Sequence, residues 1–277
     1  MPEGPEVRTI TCKLDHKLSE SSLISIEVGL YSRYQAEGLT GLPRALSLLP
    51  SKILAVCCKG KLIVFIFQSF EGCQWYLTSS LGMTGAWLFE QGKYTSCSLA
   101  TDQGNVYYDD VRKFGRLTFH FDLESLDKKL ATIGVDLLQS ALVSPVGRLD
   151  DSEWLKKVRS ASQRQQICVF LLDQKYVSGI GNYVRAEVLY RAQISPFRIL
   201  SSLSEQDLLR LNHFAAEVLV SSFSYGGLTL RDYWDPEGKA GVFPCQVYGQ
   251  AFDPQGNPVS KKDVGGRTIH YVEAVQK

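Results

Sequence analysis

Behind Pro5, apolar Val7, Ile10, Leu14 and Leu18 recur at helical spacing, which predicts an amphipathic helix that holds the start of the chain in a defined place. From Leu23 to about Phe121 the pattern shortens to β-rich runs: Ile24 to Val28, Ile53 to Phe67, Trp75 to Leu81, Ala86 to Phe89 and Val106 to Tyr108. Leu117, Phe119 and Phe121 then alternate with Thr118 and His120. Clusters such as Glu71-Gly72, Gln91-Gly92 and Asp102-Gln103-Gly104 separate the runs, so this half reads as all-β, sandwich-like or barrel-like. Past residue 123 the period is helical again. Ser152 is placed to cap a segment with Trp154, Leu155 and Val158 inward, and Ile167, Phe170 and Leu171 mark another. Ser204 with Asp207 resembles a capping box ahead of Leu208, Leu211, Ala215, Val218 and Leu219. A last stretch rich in Gly, Pro and polar residues suggests a β-hairpin appendage. The expected layout is α+β and multidomain: a β half over 1–125, a linker over 126–150, a helical part over 151–234 and a hairpin over 235–277.

Composition narrows this little. The 277 residues are 44% hydrophobic, enough for a substantial core and, by the usual size of domains, two of them. Thirty basic against twenty-nine acidic residues give a net charge of +1, so any nucleic-acid function must rest on local clusters. The seven cysteines are scattered and never spaced as C-x-x-C, which favours reduced thiols in an intracellular compartment over a disulfide frame or zinc site. No run reaches the roughly 18 apolar residues of a membrane span, and the opening lacks the regions of a signal peptide. Neither membrane insertion nor secretion is expected.

Candidate chemistry begins at Met1-Pro2-Glu3-Gly4-Pro5-Glu6. Removal of Met1 turns Pro2 into a secondary amine beside a carboxyl group, a pair able to form a Schiff base and protonate a leaving oxygen. The same residues also make an ordinary helix start, with Pro5 at its first position and acids at its positive end. Gly179-Ile180-Gly181-Asn182 places backbone amides and a side-chain amide at a helix N-terminus, which suits a phosphate or serves as a tight connection. Lys59-Gly60-Lys61 opens an apolar strand. Met83 on a glycine-flanked turn and Phe114 among Arg112, Lys113 and Arg116 offer apolar wedges beside cations, as unstacking a base step requires. Arg267 after Gly265-Gly266 sits at a hairpin tip, where a guanidinium can clamp a phosphate. The four histidines show no metal spacing and receive no catalytic role.

Taken in order along nearly the whole chain, Pro2-Glu3-Gly4-Pro5-Glu6, Lys61, Met83, Arg112 to Phe114, Gly179-Ile180-Gly181-Asn182 and Gly266-Arg267 resemble the formamidopyrimidine-DNA glycosylase and endonuclease VIII family. Gly4 and Asn182-Tyr183-Val184-Arg185-Ala186-Glu187 look more like its endonuclease VIII branch. The resemblance implies an N-terminal β-sandwich with a leading helix, a helical helix-two-turn-helix domain and a hairpin finger. It also implies a bifunctional base-excision-repair enzyme, DNA glycosylase and AP lyase, acting on oxidised bases, with pyrimidines and hydantoins favoured, through a Schiff base and β,δ-elimination. By this resemblance Pro2 is the nucleophile, Glu3 the acid for the deoxyribose ring oxygen and Lys61 a backbone contact that assists elimination. Met83, Arg112 and Phe114 fill the gap left by the flipped nucleotide. Asn182 and Arg267 clamp phosphates, with Arg267 also helping the second elimination. Tyr94 stands where some relatives have a DNA-contacting histidine, Arg185 is a DNA contact or pocket residue, and Glu6 and Glu187 are supporting.

Most members of that family bind zinc in the finger through two C-x-x-C pairs. Alignment on Gly256 and Gly266-Arg267 puts Phe252, Gln255, Val272 and Val275 there, and none ligates zinc. The finger is therefore expected to be zinc-less, with no metal or other cofactor. The expected partner is damaged DNA, duplex or single-stranded, with no membrane contact; the chain is expected to be a monomer, inside the cell wherever DNA is reached. Two other readings stay open from the residues: a catalytically silent DNA binder, which would not nick an abasic duplex, and a protein whose motifs are all structural, which would show no salt-dependent DNA binding.

Overall fold

The computed structural model describes residues 1–229 and 234–277; residues 230–233, near the end of the predicted helical part, lie outside the described residues. The chain divides into two compact units. The first holds Met1–Pro2, Glu6–Thr132 and Thr229–Val242, and the second holds Glu3–Pro5, Ile133–Leu228 and Phe243–Lys277.

The leading helix α1 (Gly4–Leu18) buries Val7, Ile10, Leu14 and Leu18, as the spacing predicts. The first unit then runs β1 (Ser22–Val28), α2 (Tyr34–Glu37), α3 (Leu42–Ser47), β2 (Ser51–Lys59), β3 (Leu62–Ser69), β4 (Gln74–Ser80), β5 (Gly85–Leu88), β6 (Thr95–Thr101), β7 (Gly104–Asp110), β8 (Arg116–His120) and α4 (Leu123–Ala131). The strands hydrogen-bond in the order β5-β7-β6-β1-β2-β3-β4-β8. The β1–β2 ladder has only the pairs Ser22↔Lys52 and Leu23↔Ser51, and there the sheet folds over on itself into a β-sandwich. Trp87 of β5 crosses the fold to lie 4.9 Å from Phe65 of β3, and its indole N–H donates to Ser79 Oγ of β4 at 3.0 Å. Trp75, Trp87, Phe65 and Phe67 are fully buried, each removal from water stabilising by roughly 1.5–3 kcal/mol.

Three local readings change. The run Ile53 to Phe67 is two strands, because Gly60, at φ 58°, makes a two-residue turn with Lys61 between the Lys59↔Leu62 pair. The strand β6 was not foreseen, since its sequence TSCSLAT buries Thr and Ser as well as apolar residues. The short helices α2 and α3 also interrupt the β half.

The second unit contains β9 (Val135–Asp136), α5 (Leu137–Val143), α6 (Asp151–Ser160), α7 (Ile167–Phe170), β10 (Val177–Ser178), α8 (Asn182–Arg191), α9 (Glu205–Ser224), β11 (Ser260–Val264) and β12 (Arg267–Tyr271). Asp150, rather than Ser152, caps α6, its carboxylate accepting from the amides of Ser152 and Glu153. The Ser204–Asp207 capping box starts α9. Trp154 of α6 donates to Leu208 O of α9 at 2.7 Å, and Tyr183 of α8 pairs with Ser222 of α9 at 2.9 Å, so the helices are pinned through satisfied polar atoms. Residues 126–150 carry the end of α4 and all of β9 and α5, with Leu126, Leu137, Leu138 and Ala141 buried. The helix α8 buries every residue from Tyr183 to Tyr190, charged Arg185 and Glu187 included.

Candidate active site and nucleic-acid interface

The first four N–H groups of a helix lack partners within it. At the start of α8 two of them are taken by Glu3: Oε1 accepts from Tyr183 N at 3.0 Å and Oε2 from Val184 N at 3.2 Å. Glu3 is 3% exposed, and its carboxyl group faces the N-terminal end of the helix. The geometry depends on glycines. Gly4 N donates to Gly179 O at 2.8 Å, and a Cβ on Gly4 would lie 2.9 Å from Gly179. A Cβ on Gly181 would meet Glu3 Cδ at 2.1 Å. Gln174 braces the turn, accepting from Gly179 N at 3.1 Å and donating to Ile180 O at 2.9 Å. The reading of these amides as a phosphate cradle is thus corrected for Tyr183 and Val184, which hold Glu3.

Asn182, the first residue of α8, donates from Nδ2 to Thr268 O at 2.9 Å and accepts at Oδ1 from Arg185 Nη2 at 2.5 Å. It is thereby tied to β12 at the residue after Arg267. Arg185 differs from its predicted role. Its side chain is fully buried, with Nη1 on Cys168 O at 3.1 Å, so it fixes Asn182 from within rather than reaching DNA. Burial pushes its guanidinium below the ordinary value, with the thiol of Cys168 and the carboxylate of Glu3 opposing and the charge of Arg267 adding to that push. Glu187, also fully buried, accepts from the backbone amides of Gln246, Val247 and Tyr248 at 2.9 Å each, and so anchors the chain leading to the finger.

In the first unit Pro2 and Glu6 are buried, and Lys61 is half-buried on the β2–β3 turn. Met83, Arg112 and Phe114 come from two different loops yet meet. Arg112 Nη1 lies 3.3 Å from Met83 Sδ, and its guanidinium sits 4.8 Å from the Phe114 ring centroid, which is 54% exposed. Buried Asp110 organises both loops. Its Oδ1 accepts from Thr84 at 2.6 Å, its Oδ2 from Gly115 N at 2.7 Å, and Thr84 Oγ1 in turn accepts from Arg112 N at 3.1 Å. Tyr94 is half-buried, its backbone pairing with Asp110 N and Asp109 Oδ2 at 3.2 Å each.

In the finger, Gly265 and Gly266 at φ 62° and 73° form the two-residue turn between Val264 and Arg267, leaving Arg267 exposed just past the tip. Val272 is fully buried and Phe252 is 63% exposed. The Tyr190 hydroxyl lies 2.6 Å from Gln255 Oε1 and 3.1 Å from Asp253 Oδ2, while Asp253 also accepts from Gln255 N and Asn257 N. Desolvation and the bond to Asp253 push the Tyr190 phenol up to about 12. Among the described residues no group of three or more His, Cys, Asp or Glu is arranged to hold a metal.

Two family models match the chain: the formamidopyrimidine-DNA glycosylase N-terminal domain over residues 1–117 and the formamidopyrimidine-DNA glycosylase H2TH domain over residues 150–233. The chain belongs to the formamidopyrimidine-DNA glycosylase family. It is 31% identical to the formamidopyrimidine-DNA glycosylase of Exiguobacterium sibiricum, covering 100% of this chain and 99% of that one. It is similar in structure to MutM (Fpg) of Thermus thermophilus, with TM-score 0.84, 30% identity, and 99% and 98% of the two chains covered. It is equally similar to Fpg of Lactococcus lactis in complex with DNA containing an abasic site, with TM-score 0.84, 26% identity and 99% of each chain covered. These relatives bear the formamidopyrimidine name, not that of the endonuclease VIII branch which Gly4 and Asn182 to Glu187 resemble. Within the family fold, the residues that sequence reasoning missed are the organisers: Asp110, Gln174 and Tyr190. Each acts through backbone atoms or distant partners; glycine turns near Asp110 and Gln174 hinted at the use of those two, and no local signal marked Tyr190.

Proposed function

We propose that this chain, by its family a DNA glycosylase with AP lyase activity, excises oxidised bases, pyrimidines and hydantoins foremost, and then cuts the strand by β,δ-elimination. After loss of Met1, the Pro2 nitrogen attacks C1′, the C1′–base bond breaks, and Glu3 protonates the ring oxygen so that the sugar opens as an iminium on Pro2. Loss of a C2′ proton expels the 3′ phosphate, and a second elimination, aided by Arg267, expels the 5′ phosphate. Lys61, Asn182 and Arg267 hold phosphates, while Met83, Arg112 and Phe114 fill the space of the extruded nucleotide.

The observation that carries this reading is the buried Glu3 carboxyl group, fixed by two helix amides one peptide bond from Pro2. Borohydride should trap a covalent protein–DNA adduct with the Met1-processed protein and not with a Met1-retaining form, whose proline nitrogen is an unreactive amide. Equal trapping by both sinks the assignment of Pro2.

The endonuclease VIII-like lesion choice is supported by Gly4 and the Asn182 to Glu187 sequence, and the zinc-less finger by buried Val272 and the Tyr190–Asp253–Gln255 cluster. The relatives' names favour a second reading, excision of formamidopyrimidines. A mutant of Lactococcus lactis Fpg has been crystallised with a Fapy-dG DNA and the wild type with an oxidised-pyrimidine DNA, so lesion choice needs its own test. Oligonucleotides carrying thymine glycol, a hydantoin, 8-oxoguanine or a formamidopyrimidine, compared by kcat/KM, decide between the readings.

A further inference from the structure

Beside the wedge residues the first unit exposes a second aromatic and cationic group that the mechanism leaves unused. The turn after β1 presents Leu30, 87% exposed, and Tyr31, 57% exposed. The Tyr31 ring stands edge-on to Tyr94 with centroids 6.4 Å apart, and the Lys93 ammonium lies 5.5 Å from the Tyr94 ring centroid. A shallow cleft of about 180 Å³ runs alongside, lined in part by Leu30, Tyr31, Gly92 and Lys93.

This group is built in rather than loosely attached. Gly29 N donates to Ser96 O at 3.1 Å, and a Cβ on Gly29 would overlap Thr95 O at 1.9 Å, so the turn lies hard against the start of β6. It is also continuous with the wedge. Arg33 Nη1 donates to Lys113 O at 3.3 Å, in the loop of Arg112 and Phe114, while Tyr94 pairs its backbone with Asp110, which organises that loop. Glu37 is occupied by Arg33, and Lys93 and Lys113 face outward beside the rings, with Glu27 an acid in the lining of the cleft.

We propose that Leu30, Tyr31, Tyr94 and Lys93 form a stacking platform for unpaired bases next to the lesion, so that single-stranded and bubble DNA are substrates of this enzyme alongside duplex. The inference rests on the functional reading above. Exposed ring faces bind bases whose own faces are free, and a paired, stacked duplex offers none; aromatic residues lining a cationic groove are how proteins hold single strands.

The test compares one abasic-site oligonucleotide as single strand, bubble and duplex, using wild type, Tyr31→Ala, Leu30→Ser and Tyr31→Phe. Tyr31→Ala should raise KM on the single strand and bubble about tenfold, from the worth of one stacked base, with kcat and duplex cleavage unchanged. Leu30→Ser should act in the same direction, and Tyr31→Phe, which keeps the ring, should restore the wild-type value. Fluorescence anisotropy with lesion-free oligothymidylate should show the same order of affinities. Equal effects on single strand and duplex, or none on either, overturn the platform. So does self-association of wild type that is lost in Tyr31→Ala with all cleavage unchanged, which would make the patch a contact between copies. Failure of wild type to nick an abasic duplex would instead strike the functional reading, while the anisotropy series would still judge the platform.

Discussion

Gly181→Ala removes the seat of Glu3 without altering either Glu3 or Pro2. The backbone at Gly181, φ −128° and ψ −153°, admits alanine, so the perturbation is steric alone. The new methyl carbon would stand 2.1 Å from Glu3 Cδ, whereas ordinary contact begins at 3.4 Å, so the carboxyl group must retreat by about 1.3 Å. Bonds of 3.0 and 3.2 Å to Tyr183 N and Val184 N do not survive such a shift. Hydrogen bonds to charged groups are worth about 1.5–3 kcal/mol each; with partial recovery through water, the loss of stability should be about 2–4 kcal/mol. The chemical loss should be larger. A positioned general acid contributes about 10² to 10⁴ in rate, so base excision should fall at least about a hundredfold, near the level of Glu3→Gln.

Nicking of a preformed abasic site should fall much less, because that sugar already equilibrates with its open aldehyde and needs no acid to open it. Single-turnover excision on a lesion-containing duplex, nicking on an abasic duplex and a thermal melt on the same preparations give the three numbers. Excision within threefold of wild type, in a variant whose melt shows the predicted loss, would falsify the view that the α8 amides hold Glu3 for catalysis.

Asp110→Asn keeps the shape of the side chain but loses charge and one acceptor toward Gly115 N and Thr84. The cost should be about 1–3 kcal/mol, and excision from duplex should drop while cleavage of single strands, which need no wedge, is spared; equal losses on both would refute an organising role for the loop pair. Tyr190→Phe should cost about 1 kcal/mol and weaken DNA binding with a shallower salt dependence as the finger loosens, whereas EDTA should leave wild-type melting and activity unchanged; loss of activity to the chelator refutes the zinc-less finger. Burial, with Lys261 and Arg185 adding to it, holds His270 below the ordinary imidazole value, and its Nδ1 has no hydrogen-bond partner among the described residues. The unfolded chain therefore binds a proton that the folded one resists. The stability from neutral His270 should be complete above about pH 6.5 and fall as pH drops below it, and His270→Phe should flatten that slope in pH-dependent melts. An unchanged slope would rule His270 out as the cause.

What the sequence alone determined follows from local and colinear signals. The spacing of Val7, Ile10, Leu14 and Leu18 marked α1, the Ser204–Asp207 box marked the start of α9, and the glycine turns marked where backbones approach closely. Local patterns fail where burial is decided by distant partners. The polar strand β6 is recognisable only beside β1 and β7, and Asp150 displaced Ser152 as a cap because both satisfy the same local rule. The order Pro2, Glu3, Lys61, Met83, Asn182 and Arg267 named the chemistry but not which groups share a bond. Tertiary structure decided that the α8 amides hold a carboxylate 180 residues upstream, that Arg185 is buried beneath Asn182, and that two loops converge on Asp110. The reason is physical: a side chain's periodicity reports whether it faces a core, whereas the partner of a buried polar atom is chosen by whichever chain segment the fold brings within about 3 Å.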